Sequence, residues 1–147
     1  MRLAIEALAS DEGDFRTAFG NFRFRWDARL REAGLQAHWT LDVPDTLLAV
    51  PPHDALQLLR ILQEALTNVL KHARAREVHV TLRMDEGRLL IEVADDGQGF
   101  GSTAPGAGGR GLANMRARAA RLRADFDVDG GDGRRGARVR VAWTLPG

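Results

Sequence analysis

The chain has 147 residues, of which 44% are hydrophobic and 28% charged, and its formal net charge is +1. These values predict one soluble globular domain with a substantial core, and the small net charge gives no reason to expect nucleic acid or an acidic membrane as a partner. The absence of cysteine excludes disulfides, thiolate catalysis and cysteine-ligated zinc, and no apolar run approaches the ~18 residues that a membrane-spanning helix needs.

The first part of the chain predicts two helical segments and a strand. Residues 1–9 have apolar residues at helical spacing, and helix-breaking residues follow. A longer amphipathic helix is predicted from Phe15 to Ala33, with an apolar stripe of Phe15, Phe19, Phe22, Trp26 and Leu30. We interpret this stripe as core rather than as a base-stacking surface, because it shares the period of the helix. Leu35 to Val43 alternates as a strand, in which His38 is predicted to be half-exposed and without a chemical role.

A long helix is predicted over residues 51–73, with prolines in its first turn. Its apolar stripe consists of Leu58, Leu59, Leu62, Ala65, Leu66, Val69 and Leu70. Along another edge, Glu64, Asn68 and His72 recur at i, i+4 and i+8, so a carboxylate, a carboxamide and an imidazole form one row. Such a row can supply a base, a metal ligand and a phosphate donor. From this helix alone, a solvated face is an equal alternative.

The second half of the chain predicts two hairpins separated by a loop and a helix. In chain order these are strands 78–84 and 89–94 around a turn at 85–87, a loop over 97–111, a helix over 112–122, and strands at 126–128 and 137–145. The loop contains seven glycines and one proline, and loops of this length in compact domains are usually functional. The order of elements predicts an α/β fold, a two-layer α/β sandwich with a mixed sheet and helices on one face.

Two glycine motifs carry further chemical information. Asp95-x-Gly97-x-Gly99 follows a strand, where a carboxylate is a fixed acceptor suited to an exocyclic amine such as that of adenine. By itself this pattern also fits an ordinary turn. Gly109-x-Gly111 opens a helix, whose free N–H groups form an anion site suited to phosphates. It is neither a P-loop nor a dinucleotide fingerprint, since no G-K-[ST] follows and no strand precedes it.

The three motifs in this order resemble the ATP-binding (Bergerat) fold of the GHKL superfamily, which sensor histidine kinases share with gyrase-type ATPases and heat-shock chaperones. The resemblance covers roughly residues 35–146. The segments QEALTNVLKHARA, VADDGQGF and GRGLANMRARAARL are similar to the catalytic domain of two-component sensor histidine kinases of the nitrate-sensor/desaturase-sensor subfamily.

The resemblance implies a role for each matching residue, with ATP and Mg²⁺ as ligands. Asn68 would coordinate Mg²⁺, Glu64 would be the general base, and Lys71 and His72 would lie beside the phosphates. Asp95 would accept a hydrogen bond from the adenine amino group. The remaining matches would be Gly97 and Gly99 at the adenine end, a short ATP lid over 101–108, Gly109, Arg110 and Gly111 as backbone donors to phosphate, and Leu112 packed near the nucleotide.

Two positions depart from the family pattern. Gly136-Ala137 stands where relatives carry a glycine-threonine pair that lines the adenine end, so a lower nucleotide affinity is expected. The segment 123–125 replaces a common glycine pair, and we expect this to affect a turn only.

None of the four histidines has the sequence context of a phosphoacceptor. The resemblance therefore implies an acceptor histidine on a separate dimerisation domain, and a response regulator as the next acceptor. Residues 1–13 would be the stub of an upstream dimerisation helix or linker, and residues 14–147 the catalytic domain. The expected location is the cytoplasm, with inner-membrane anchoring of the parent protein left open.

Two alternatives remain open at this point. The first is an anti-sigma-factor-type serine kinase on the same fold, distinguished by an acid-stable phosphoserine product. The second is a regulatory module that binds nucleotide or a protein partner without catalysis. The presence of Glu64, Asn68 and Asp95 argues against the second alternative, and Ala137 argues weakly for it.

Overall fold

The structure, a computed structural model, describes residues 15–43, 50–97, 109–129 and 136–145. Within these ranges the elements are α1 (Phe15–Glu32), β1 (Gln36–Asp42), α2 (Pro52–Asn68), a π-helix (Val69–Ala73), β2 (Glu77–Asp85), β3 (Arg88–Asp95), α3 (Gly109–Arg121), β4 (Asp125–Asp129) and β5 (Ala137–Thr144). None of the described helices is long and apolar enough to cross a bilayer.

The five strands form one mixed sheet with the order β1-β2-β3-β5-β4. β1 and β2 are parallel, because the chain crosses over through α2 between them, whereas every other neighbouring pair is antiparallel. Glu86 and Gly87 both have positive φ, as a two-residue turn between β2 and β3 requires. The predicted mixed sheet is therefore confirmed, together with both predicted hairpins.

One face of the sheet packs against the helices and the other faces solvent. Alternate residues of β2, β3 and β5 are buried in the core: Val78, Val80, Leu82, Leu89, Ile91, Val93, Val139, Val141 and Trp143. The opposite face carries ion pairs such as Glu92 with Arg138. Burying each large apolar side chain contributes about 1.5–3 kcal/mol, so this one-sided pattern fixes which face the helices cover. The two-layer α/β sandwich is confirmed.

Helix α1 covers the edge of the sheet with its aromatic stripe. Phe15, Phe19, Phe22, Trp26 and Leu30 are all buried, which confirms that the stripe is core. The indole N–H of Trp39 on β1 donates to the carboxylate of Asp27 at 3.0 Å and so ties the edge strand to the helix. A hydrogen bond from Arg31 is the main reason why the pKa of Asp27 lies below its ordinary value.

Two predicted helix boundaries are wrong. The long helix is α-helical only as far as Asn68, and its last five residues form the π-helix. Because a π-helix closes its hydrogen bonds over five residues instead of four, the predicted i, i+4 row does not continue from Asn68 to His72. Helix α3 begins at Gly109, three residues before the predicted start at Leu112, and the prediction that the Gly109-x-Gly111 motif opens this helix is confirmed.

Candidate active site

Asn68 lies at the junction between α2 and the π-helix. Its backbone is still α-helical, and the N–H of the next residue, Val69, is shared between the carbonyls of Ala65 and Leu66. The π-helix ends at Ala73, and the next residue, Arg74, has left-handed backbone angles. π-Helical turns inside α-helices are rare and are frequent at functional sites, so this irregularity marks the region around Asn68 as the place to look for chemistry.

The first turn of α3 packs directly onto the polar row of α2. A Cβ added to Gly111 would lie 3.0 Å from both Nδ2 and Oδ1 of Asn68 and 3.1 Å from a carboxylate oxygen of Glu64. These distances are shorter than ordinary carbon contacts, so the missing side chain is what lets the two helices approach so closely. The structure thus brings together Glu64, Asn68 and Gly111, which are predicted from separate motifs.

The carboxamide nitrogen of Asn68 is buried, and it has no hydrogen-bond partner among the described residues. Leaving such a donor unsatisfied costs about 1–3 kcal/mol, and native proteins keep few such groups. The carboxamide therefore has free hydrogen-bonding capacity next to the N-terminus of α3. This position suits a carboxamide that contacts a ligand with a phosphate and its cation.

A second group of predicted residues lies where β3 ends. The carboxylate of Asp95 accepts a hydrogen bond from the backbone N–H of Gly97 at 2.8 Å, which closes the turn after the strand. The next carboxylate, that of Asp96, accepts from the N–H groups of Arg76 and Glu77 at 2.8 and 3.0 Å. Asp96 thus anchors the start of β2, while Asp95 is on the core face of the sheet.

The surroundings of the Asp95 carboxyl disfavour its charged form. Burial raises its pKa above the ordinary value, and the charge of Asp96 adds to this effect. Hydrogen bonds from the backbone N–H groups of Gly97 and Ala137 act in the opposite direction. A half-buried carboxylate that accepts two backbone hydrogen bonds has acceptor capacity left for a ligand amine.

Gly136 fits closely against the backbone of Asp95, a relationship that sequence reasoning missed. Its φ is +86°, and an added Cβ would lie 2.3 Å from the carbonyl oxygen of Asp95. Its N–H also donates to the carbonyl of Gly97 at 2.7 Å. β5 pairs with β3 and places Ala137 opposite Asp95. The available signal in the sequence was the glycine of the Gly136-Ala137 pair. The reason why a glycine is needed there is visible only once β3 and β5 are paired.

Arg118 is a second residue that the motifs did not reveal. It lies on α3 and donates to the side-chain oxygen of the buried Gln57 on α2 at 3.0 Å. Burial lowers the pKa of the Arg118 guanidinium, as do Arg60 and Arg121, whereas Glu64 opposes the shift. Arg118 therefore joins the two helices that carry the site and contributes positive charge near Glu64. Arg118 follows Gly111 by seven residues and so lies on the same face of α3, and this spacing could have identified it from the sequence.

The other predicted site residues differ in how well they are placed. Lys71 is on the π-helix with an exposed side chain, and Leu112 is partly buried in the first turn of α3. Gly109 is the first residue of that helix. Gly99 and the side chains of His72 and Arg110 lie outside the described residues, as does the predicted lid.

Sequence comparison finds one protein family over most of the chain. Residues 53–147 match the family described as histidine kinase-, DNA gyrase B- and HSP90-like ATPases. The nitrate/nitrite sensor protein NarX of Escherichia coli K12 is 42% identical over 79 residues, which are 54% of this chain and 13% of NarX. The sensor histidine kinase LiaS of Bacillus subtilis is 34% identical over 100 residues, 68% of this chain and 27% of LiaS. The chain thus spans about a quarter or less of these relatives.

Among solved structures, the histidine kinase domain of a blue-light-activated histidine kinase from Erythrobacter litoralis is similar, with a TM-score of 0.69 and 23% sequence identity. The match covers 90% of this chain and 61% of that domain, and at this identity it concerns the fold alone. The family match includes α2 and α3, the elements that bring Glu64, Asn68 and Gly111 together. The chain belongs to the family of histidine kinase-, DNA gyrase B- and HSP90-like ATPases, and the resemblance to sensor histidine kinases is confirmed.

Proposed function

We propose that this chain is the ATP-binding catalytic domain of a sensor histidine kinase and transfers the γ-phosphoryl group of ATP to a histidine on a separate dimerisation domain. The observation that carries the proposal is the packing of Gly111 against Asn68 and Glu64, because it unites three predicted residues at a helix N-terminus. The sequence relatives, which are sensor proteins and histidine kinases by name, support the reaction class.

The adenine would bind at the end of β3. Asp95 would accept a hydrogen bond from the exocyclic amine of the base, which is a use for a carboxylate that is partly removed from water. Gly97 and Gly136 keep the backbone around this carboxylate free of side chains. Gly99 is proposed on the same ground, from its place in the motif.

The phosphates would bind between α2 and α3. The N–H groups of Gly109, Arg110 and Gly111 are in the first turn of α3, where backbone N–H groups have no partner within the helix, and a helix N-terminus favours anions. Lys71 and His72 would add donors beside the phosphates, and Leu112 would pack against the nucleotide.

The donor set at this end also fits Mg²⁺. Asn68 offers a carboxamide oxygen, one of the oxygen ligands this ion accepts, and its carboxamide nitrogen is unpartnered among the described residues. When bound, Mg²⁺ would neutralise the charge of the phosphates. Asn68 would bind the ion and would also orient the phosphate chain.

Glu64 is proposed as the general base. It lies one turn before Asn68, and its carboxylate faces the backbone of Gly111, where the phosphates would enter. It would take the N–H proton of the acceptor imidazole while the other ring nitrogen attacks the γ-phosphorus. The N–P bond forms as the bond to the bridging oxygen breaks, and ADP leaves. Positioning of the reactants by the two helices would supply a large part of the rate enhancement.

The proposal also concerns the longer parent protein of which this domain would be a part. The phosphohistidine would pass its phosphoryl group to a response regulator, the usual context of a sensor histidine kinase. Residues 14–147 would form the catalytic domain, and residues 1–13 would connect it to the dimerisation domain. Because ATP is a cytoplasmic substrate, we place this domain in the cytoplasm, whether or not the parent protein is anchored in the inner membrane.

Calorimetric titration with ATP tests the proposal first. We expect binding of the full chain in the micromolar range, tighter with Mg²⁺ than without it, and loss of the Mg²⁺ effect in Asn68→Ala. Asn114→Ala is a matched control, since Asn114 is exposed on α3. Transfer is then measured with the parent's histidine-bearing domain added in trans.

The product of that transfer separates the alternatives. Acid-labile phosphohistidine supports the proposal, whereas acid-stable phosphoserine would indicate the serine kinase. No binding up to millimolar ATP would indicate the regulatory module without catalysis.

A further inference from the structure

The solvent face of the sheet carries two histidines and a glutamate at one place. β1 and β2 are parallel, and their register puts His38 directly beside His79. Their imidazole rings stack with centroids 4.5 Å apart and planes 15° apart. Glu77 precedes His79 by two positions on the same strand, so its side chain projects from the same face. Three side chains from two adjacent strands therefore converge.

The spacing of their ligand atoms fits one metal ion. The Nε2 atoms of His38 and His79 lie 3.4 and 3.6 Å from the same carboxylate oxygen of Glu77. All three ligand atoms are within 4.8 Å of one another. Tetrahedral zinc, with bonds of about 2.0–2.1 Å, needs ligand atoms about 3.3 Å apart. Because a bound ion lies in the plane of each imidazole ring, His38 and His79 would rotate out of their stack to reach that geometry.

The chemistry of the three groups also selects the ion. Two imidazoles and one carboxylate suit zinc and neighbouring transition ions, whereas Mg²⁺ and Ca²⁺ prefer sites made of oxygens alone. The side chains of Glu77, His38 and His79 are 45%, 47% and 56% exposed. An ion can therefore reach them from solvent and keep a fourth position for water or for a ligand from another molecule.

We propose that His38, Glu77 and His79 form a surface binding site for a divalent transition-metal ion of the zinc class. Such an ion would join the edge strand β1 to β2 through side chains, in addition to the backbone ladder. The site is separate from the proposed nucleotide site, because its side chains project from the sheet face opposite the helices that carry Glu64 and Asn68.

The backbone around Glu77 holds the site in place. The N–H of Glu77 donates to the carboxylate of Asp96 at 3.0 Å, and the N–H of Asp96 donates to the carbonyl of Glu77 at 3.3 Å. These bonds fix the start of β2 without using the Glu77 side chain. Its carboxylate therefore remains available to an ion, and a substitution there leaves the strand anchored.

Zinc titration of the tag-free chain, in buffer without nucleotide or Mg²⁺, tests the proposal. We expect one equivalent of Zn²⁺ to bind, and His38→Ala, His79→Ala and Glu77→Gln each to weaken binding at least about tenfold. His53→Ala is the matched control, because His53 is an exposed histidine on α2 and should bind Zn²⁺ like the wild type.

Two further measurements give independent readings. Co²⁺ should produce the visible absorption of a tetrahedral site in the wild type and in His53→Ala, and this absorption should be absent in His38→Ala. Zn²⁺ should raise the melting temperature of the wild type and leave that of His38→Ala unchanged, since an ion that binds only the folded state stabilises it. The proposal is overturned if Zn²⁺ does not bind up to millimolar concentration, or if the site variants bind it like the wild type. Circular dichroism confirms that each variant is folded.

Discussion

Gly111 of α3 lies so close to Asn68 of α2 that a methyl group would fit there only if the Asn68 side chain moved by a few tenths of an ångström. A Cβ on Gly111 would stand 3.0 Å from both terminal atoms of the Asn68 carboxamide. The glycine therefore does more than expose backbone N–H groups at a helix start. It sets the separation between the first turn of α3 and the polar row of α2.

Replacing Gly111 by alanine should impair phosphoryl transfer more than it impairs folding. Alanine is a better helix former than glycine by about 1 kcal/mol, so α3 itself is not weakened. The added methyl, however, displaces Asn68 and Glu64 by a few tenths of an ångström, and a misplacement of about 1 Å can cost about 10²-fold in rate. We expect transfer to fall about 3- to 10-fold with a melting temperature near that of the wild type.

Gly20→Ala is the control for this substitution, because an added Cβ on that helical glycine meets nothing within 4 Å. It should leave transfer unchanged. Wild-type transfer by Gly111→Ala would show that the contact has no role in catalysis.

Asp95→Asn should weaken ATP binding and stabilise the free protein. The amide keeps the shape of the carboxyl but loses its charge. Loss of a charged acceptor for a hydrogen-bonded amine should lower the affinity for ATP about tenfold or more. Because burial raises the pKa of Asp95 in the folded state, its stabilising protonated form is present at low pH and is lost as the pH rises through the folded-state pKa. At neutral pH the wild type therefore carries a charge that burial disfavours.

The melting temperatures of both proteins between pH 4 and pH 8 check the sign of this effect. The advantage of Asp95→Asn should be largest at neutral pH and should shrink as the pH falls. An advantage that grows towards acid pH, or unchanged ATP affinity, would contradict the assignment of Asp95.

The sequence predicted some features of this fold and site and could not predict others. The alternation of Val78, Val80 and Leu82 predicted which face of β2 is buried, because a strand repeats every two residues whatever its surroundings. The change from α- to π-helix after Asn68 was not predictable, since it depends on packing and has no periodic signature. The contact of Gly136 with Asp95 joins residues 41 positions apart and follows only from the pairing of β3 with β5.

Ala137→Thr should strengthen nucleotide binding. Ala137 is paired with Asp95, and both are on the core face of the sheet at the end of their strands. The family resemblance implies a threonine here, whose hydroxyl would add one hydrogen bond at the adenine end. One such bond is worth about 0.5–1.5 kcal/mol, so we expect a gain of roughly 2- to 10-fold in ATP affinity by calorimetry.

Ala142→Thr is the control, because residue 142 is on the same strand but is paired with Leu90 on the opposite face. Both variants introduce a β-branched residue into β5, so any effect on strand stability is shared. An equal gain in affinity from both would show that the hydroxyl at position 137 has no specific role.

Gly136→Ala should be the most destabilising of these substitutions, for two separable reasons. The first is the positive φ of +86°, which costs an L-residue about 1–2 kcal/mol. The second is the clash of the new Cβ with the carbonyl oxygen of Asp95, at a distance of 2.3 Å that real Cβ atoms do not adopt. Because the clash is with backbone, relief requires a shift of the strand end that carries Asp95.

Gly34→Ala isolates the first cause, since Gly34 has a φ of +88° and an added Cβ there meets nothing within 4 Å. Urea denaturation should show a loss of about 1–2 kcal/mol in the free energy of unfolding at Gly34 and of at least about 3 kcal/mol at Gly136. Equal losses would mean that backbone strain accounts for the whole effect and that the contact of Gly136 with Asp95 adds nothing to it. A larger loss at Gly136, with weaker ATP binding in the protein that remains folded, would place this glycine among the residues that shape the adenine end of the site.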